Sequence, residues 1–312
     1  MMNLCNHVLM VRPASFAYNP QTAGNNAFQK ESTQTKSAVH QRALVEFDAF
    51  VALLRANKMV VTVVQDTPEP HTPDSIFPNN GFSLHQDGTL VLYPMFAANR
   101  RLERKPDVYA AIKQNFAITR TIDLTHYEAE GKFLEGTGSM VLDREHKIAY
   151  ACRSRRTHPE VLADFCQQFD YKPVLFDAVD DHGQPVYHTN VVMCVAAAYM
   201  VVCLSAITDA AERERILSSA AATEKEIIPI DISQMGQFAG NMLQLCNTDG
   251  DPFLILSATA LRSLTPRQKD KLAHYNPLLA PEIPTIEENG GGSARCMMAE
   301  CFAPECTAYN SL

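Results

Sequence analysis

Residues 81–93, GFSLHQDGTLVLY, decide the architecture. Two short apolar runs flank the turn triplet Gln86-Asp87-Gly88, so the stretch predicts a β-hairpin. A charged helix near Arg100 to Gln114 and a strand near Phe116 to Ile122 follow it. The same order returns downstream. Ser139 to Ala151 predicts two strands about Asp143-Arg144-Glu145, Pro159 to Phe169 a helix, and Pro173 to Phe176 a strand. Val191 to Leu204, a helix from about Asp209 to Ala221, and Glu226 to Ile230 form the next copy. Another runs through Asn241 to Leu245, Pro252 to Leu256, a helix around Pro266 to Tyr275, and a strand at Glu282 to Ile286. At the N-terminal side stand His7 to Val11, a helix across Val39 to Asn57, and Met59 to Val64. About five units of similar size, roughly 40 to 55 residues apart, predict a closed fivefold α/β array. In that array Arg295 to Phe302 pairs with the first unit and closes the ring. An open mixed sheet with helices on both faces is the alternative, because short apolar runs do not fix strand order.

With 312 residues and 46% hydrophobic content the chain can bury a large core, and length alone permits one large α/β domain or two smaller ones. The formal net charge of −8 and the absence of a Lys/Arg-rich run argue against a nucleic-acid partner. Nine cysteines, an odd and sparse set, fit reduced thiols better than a disulfide framework, and Met1-Met2-Asn3-Leu4 lacks the features of an export signal. A cytoplasmic protein is expected. Val191 to Ile207 is uncharged and mostly apolar, close to the roughly 20 residues that cross a bilayer. It is rich in valine, breaks at Ala196-Ala197-Ala198 and has no flanking positive cluster, so two buried strands are expected and a membrane is not.

Chemistry concentrates in Asn289-Gly290-Gly291-Gly292-Ser293-Ala294-Arg295-Cys296. Three successive glycines cost backbone entropy in any regular element and mark a tight path or a close approach to a ligand. A thiol beside such a loop is placed to react, with Arg295 and free backbone N–H groups favouring the thiolate; a flexible loop next to a structural cysteine fits the same residues. A cysteine nucleophile needs a proton shuttle, and His188 in Tyr187-His188-Thr189-Asn190 stands where a loop enters an apolar run. One histidine among ten is not singled out by its surroundings alone. The cysteines lack paired C-x₂-C spacing, and neither a P-loop, a dinucleotide fingerprint nor a serine elbow is present, so no metal and no cofactor are expected.

Phe133-Leu134-Glu135-Gly136, Ser154-Arg155-Arg156-Thr157, His188-Thr189-Asn190 and Gly290-Gly291-Gly292-Ser293-Ala294-Arg295-Cys296, in that order, resemble the signatures of the arginine deiminase and amidinotransferase superfamily. The similarity covers nearly the whole chain and implies that residues 1–312 form a single catalytic domain. It implies the pentein fold, a five-bladed α/β propeller of pseudo-fivefold ββαβ units. It also implies Cys296 as nucleophile, His188 as acid/base and Glu135 as the orienting carboxylate. Arg156 and Arg101 resemble the residues that hold a substrate α-carboxylate, and Phe77 and Asp74 fall in a segment that lines the substrate.

Two departures bear on the substrate. Where guanidine-processing relatives carry aspartates, this chain has Asn80 and Asn190. A guanidinium taken from water needs a negative partner, which two neutral amides do not supply, whereas a ureido group matches an amide's donors and acceptor. The chain is therefore most similar to the citrulline ureidases (CtlX-type) of that superfamily, and the expected reaction is citrulline plus water to ornithine, carbon dioxide and ammonia. A third departure is Gly138, where many relatives carry an acid. The alternatives are an arginine deiminase or dimethylarginine hydrolase-like enzyme, an amidinotransferase, and, in another class, a non-catalytic pentein binding module. The implied partner is a small amino acid; self-association into a homo-oligomer is left open.

Overall fold

A computed structural model describes residues 4–306, so the reading of Met1 to Asn3, and of 307–312 as part of one catalytic domain, lies outside the described residues. Five separate three-stranded sheets make up the frame. In chain order the strands are β1 (His7–Arg12), β2 (Val60–Gln65), β3 (Phe82–Leu84), β4 (Thr89–Leu92), β5 (Arg120–Asp123), β6 (Val141–Asp143), β7 (Ile148–Cys152) and β8 (Lys172–Phe176). They continue as β9 (Met193–Val195), β10 (Tyr199–Val202), β11 (Glu226–Pro229), β12 (Leu243–Cys246), β13 (Pro252–Ile255), β14 (Leu278–Leu279) and β15 (Ala299–Glu300).

Each sheet repeats one topology. An antiparallel pair is followed by a helical crossover that returns a third strand parallel to the middle one, as in β3-β4-β5 and β6-β7-β8. The first sheet completes the pattern with a strand from the far end of the chain: β15 lies antiparallel to β1, Val8 opposite Glu300 and Leu9 opposite Ala299. Ring closure is thus local, through one two-residue strand, and the five sheets do not merge into a continuous barrel.

Middle strands explain why alternation is weak in this sequence. Every residue of Ile148–Cys152 and Tyr199–Val202 is buried, because each sheet is covered on both faces. The uncharged run at Val191 to Ile207 contributes β9 and β10, paired antiparallel, and among the described residues no helix is long and apolar enough to cross a membrane. Crossover helices begin where the sequence offers caps. Thr35 accepts from Ala38 N ahead of helix Lys36–Ala56, and Thr265 with Gln268 closes a capping box on helix Pro266–Tyr275.

Two expectations need correction. The helix expected over Arg100 to Gln114 is split into Ala98–Arg101 and Pro106–Asn115, because Pro106 has no N–H for a helix interior and instead starts a new helix. Glu282 to Ile286 is not a strand: Pro284 opens a helix, Pro284–Gly290, and the parallel strand lies earlier at Leu278–Leu279.

Candidate active site

In each unit a short turn precedes the first strand, and these turns meet at one end of the array. They are Pro78–Asn80 before β3, Gly136–Ser139 before β6, Thr189–Val192 before β9, the loop ending at Asn241 before β12, and Ala294–Met297 before β15. The repeat therefore sets Asn80, Gly138, Asn190, Asn241 and Cys296 at corresponding places. A small, tight cavity there is lined by Asp74, Phe77, Asn80, Arg100, Arg156, His188 and Cys296, and by the glycine loop 290–292.

Two amides converge on the Cys296 sulfur. Asn190 Nδ2 lies 3.4 Å away and Asn241 Nδ2 3.3 Å away, both as donors. Asn241 is held by its other contacts: Nδ2 also donates to the Asn190 carbonyl, and Oδ1 accepts from Arg295 N. Arg295 itself donates to the Met242 carbonyl at 3.1 Å rather than to sulfur, so the side-chain donors that reach Cys296 are the two amides. Asn241 escaped the sequence reading. Its signal was the repeat itself, since it occupies in the fifth unit the place Asn190 holds in the fourth.

Glu135, wholly buried, organises the opposite wall. Its Oε1 accepts from Phe96 N at 3.0 Å, and its Oε2 accepts from His188 Nε2 at 2.9 Å and from Arg156 Nη1 at 3.4 Å. Burial by itself raises a carboxyl pKa, but Arg156, His188 and Arg100 together reverse it and hold Glu135 well below the carboxylate range. As an acceptor-only group, that carboxylate fixes the proton on His188 Nε2 and leaves Nδ1 as the nitrogen with a free lone pair. Burial pushes the imidazole down to about 4, against the opposing pull of Glu135. His188 is therefore neutral at pH 7. Its NMR titration is expected near pH 4 rather than 6.5. The sign for stability follows: below pH 6.5 the unfolded chain takes up a proton that the folded imidazole refuses until about pH 4. Stability is thus lost on acidification across that window, by on the order of 3 kcal/mol. A midpoint above 6 would refute the buried, neutral imidazole.

Arginine 100, not Arg101, enters the cavity. Arg100 is 3% exposed; its Nη1 donates to Asn80 Oδ1 at 2.7 Å, and its Nη2 to the Phe77 carbonyl at 3.1 Å. Its Nε and Nη2 fork onto Glu103 at 2.8 and 3.0 Å. Arg101 turns outward, donating to the Met95 and Phe96 carbonyls and lying over the Phe133 ring. Adjacent helical positions face different ways, and the sequence does not say which of two neighbouring arginines points inward. Arg156 does reach the cavity, tied to Glu135, the Thr22 carbonyl and Asn25 Oδ1. Asp74 accepts through Oδ2 from Asn19 and Thr22, while its buried Oδ1 finds no hydrogen-bond partner among the described residues. Burial raises the Asp74 pKa, opposed by Arg100.

Glycines set the cavity's shape. A β-carbon on Gly138 would stand 2.3 Å from Asn80 Nδ2 and 2.8 Å from the His188 ring. The acid expected of many relatives has no room here. Gly138→Ala is expected to lower kcat/KM by about 10²-fold while the protein remains folded, because misplacing a reacting group by about an ångström costs that much; activity within threefold of the parent would contradict the contact. Phe77 lies against Gly290 and Gly292, where added β-carbons would come within 2.9 Å of its ring, which accounts for two of the three glycines. The segment around Asn26 and Gln29 covers this loop through bonds to the Gly291 and Asn289 carbonyls.

This fold and this convergence of cysteine, histidine and glutamate define a pentein with an enzyme-like site. The family model described as N,N dimethylarginine dimethylhydrolase, eukaryotic, matches residues 12–303, and the chain belongs to that family. No curated protein matches it. Among solved structures, the N-terminal domain of ArgZ, an arginine dihydrolase from cyanobacteria, in a cysteine-to-serine form bound to substrate, is similar. The TM-score is 0.72 at 18% identity, covering 96% of this chain and 98% of that one. AgrE with L-arginine gives 0.73 at 18% identity, covering 97% of this chain and 41% of that one. The chain thus spans about two fifths of the AgrE chain. A dimethylarginine dimethylaminohydrolase, in a histidine-to-glycine form joined to S-methyl-L-thiocitrulline, gives 0.64 at 14% identity, covering 95% and 99%.

Proposed function

We propose that residues 1–312 form one catalytic domain that hydrolyses a C–N bond of a small ureido amino acid, citrulline, through Cys296. In this reading neutral His188 takes the Cys296 thiol proton as the sulfur attacks the ureido carbon, and passes that proton to the departing δ-nitrogen of ornithine. The carbamoyl group stays on sulfur as a thioester. His188 then takes a proton from water, which attacks that carbonyl; the C–S bond breaks, the proton returns to the Cys296 sulfur, and the released carbamate breaks down to carbon dioxide and ammonia. Arg100 and Arg156 provide the positive wall for the α-carboxylate, and the open Oδ1 of Asp74 accepts from the α-ammonium.

One observation carries the substrate choice: Asn80 Oδ1 is already taken by Arg100, so the amide turns its N–H edge toward the cavity. That edge complements a ureido carbonyl and opposes a guanidinium, which has donors only. Asn190 Oδ1, buried and without a partner among the described residues, supplies the complementary acceptor for a ureido N–H.

A guanidine substrate is the second reading, favoured by the family match and by arginine in the related structures. Cys296 would then attack a guanidinium carbon, with Asp74 and Glu135 supplying negative charge. Incubating the protein separately with citrulline, arginine and dimethylarginine, and assaying ornithine and citrulline, decides between them. Ornithine from citrulline is expected; turnover of arginine or dimethylarginine with none of citrulline replaces the first reading by the second.

A further inference from the structure

We propose that Glu103 is a positioning residue for substrate selection, locking the Asn80 amide through Arg100 so that its N–H edge faces the reacting carbon. The inference rests on the ureido reading above and names the device behind it.

Glu103 makes no contact with the cavity floor; it acts at one remove. Its carboxylate receives two parallel bonds from Arg100, Nε at 2.8 Å and Nη2 at 3.0 Å. A forked carboxylate–guanidinium pair has a fixed plane and a fixed direction. With two donor positions held there, the remaining nitrogen, Nη1, is aimed at Asn80, 2.7 Å from Oδ1. A guanidinium only donates, so the atom it meets must be the amide oxygen, and the amide's orientation is set by chemistry. The NH₂ end is then forced to the other side. It lies over Gly138, 2.3 Å from where a β-carbon would be, beside the His188 ring, and its one acceptor among the described residues is the Glu135 carbonyl at 3.5 Å. A donor remains for the substrate.

Arg100 also meets the Phe77 and Asp74 carbonyls, the Asp74 carboxylate at 3.9 Å and, through Nη1, the Glu135 carboxylate at 3.9 Å. Each of these is a contact to a separate acceptor, whereas the fork holds two guanidinium nitrogens against one carboxylate and so fixes the plane. Without the fork, Arg100 can turn Nη1 away, and the Asn80 amide is free to invert. An inverted amide presents Oδ1, which accepts from a guanidinium and no longer donates to a carbonyl. Selection between the two substrate classes therefore runs through Glu103.

The test compares the parent with Glu103→Gln, which keeps the shape and removes one acceptor of the fork. We measure kcat/KM for citrulline and for arginine, and record the Asn80 side-chain amide signals by ¹⁵N NMR. The citrulline-to-arginine ratio is expected to fall about tenfold or more, with the Asn80 signals displaced. Should Glu103→Gln not accumulate folded, Glu103→Asp draws the carboxylate back by one methylene, and the same two changes are expected. A ratio within twofold of the parent together with unmoved Asn80 signals overturns the proposal. A parent that turns over arginine and no citrulline sinks the substrate reading separately; in that case unmoved Asn80 signals still overturn the positioning role, and displaced ones uphold it.

Discussion

Replacing Cys296 by alanine is expected to lower kcat by roughly 10⁵-fold or more, since losing a covalent nucleophile removes the acyl-transfer route itself. No other thiol lines the cavity among the described residues, so no neighbour substitutes. The structural cost is small by comparison. The side chain is 3% exposed and its loss leaves the Nδ2 groups of Asn190 and Asn241 without the sulfur acceptor. Asn241 keeps the Asn190 carbonyl as a partner, which limits the destabilisation to about 1–3 kcal/mol. Single-turnover kinetics beside a thermal melt separates the two effects. Turnover within tenfold of the parent in a folded Cys296→Ala protein would remove the nucleophile from the account.

The second large effect is expected at Glu135. Glu135→Gln keeps the volume but deletes the negative charge that sits against Arg156 at 3.4 Å and Arg100 at 3.9 Å. It also replaces an acceptor beside His188 Nε2 with a group whose NH₂ end opposes the donor already there. Breaking a buried pair by neutralising one partner leaves uncompensated charge, for which about 3–5 kcal/mol of stability is the usual cost. Catalysis suffers in addition, because the proton of His188 is no longer fixed on Nε2 and Nδ1 is no longer reliably the base; a drop of about 10²–10⁴-fold in kcat is expected. Both are measured on one preparation, by denaturant unfolding and by initial rates with saturating substrate. A variant that loses stability yet keeps the parent's kcat would make Glu135 a structural residue alone.

Much of this molecule was readable beforehand, for a physical reason. The repeating hairpin, helix and strand is written in apolar runs and turn triplets such as Gln86-Asp87-Gly88, where Gly88 does adopt φ 78°. Helix Pro266–Tyr275 announced itself by its cap and its proline. Boundaries were lost where two rules competed. At Pro106 a continuous charged pattern concealed a helix break, and at Pro284 an apolar run read as strand was a helix start. In the site, the motif residues Cys296, His188, Glu135 and Arg156, marked in the sequence by distinctive neighbours, do lie together. Arg100 and Asn241 are not so marked, since their importance lies in direction and in equivalence between units, neither of which a linear string displays. Glu103 stands outside every motif, and only its fork with Arg100 connects it to the cavity.

The two-residue strand Ala299–Glu300 has a kinetic implication. It follows the turn bearing Cys296 by two residues and pairs with Val8 and Leu9, about as distant in sequence as two residues of this chain can be. Contacts of such separation carry a large loop-closure entropy and form late in folding when nothing local assists them. Placement of the turn that carries Cys296 is then expected among the last events of folding. Damage to His7–Arg12, remote from every reacting atom, should disarm the enzyme as surely as damage to the pocket.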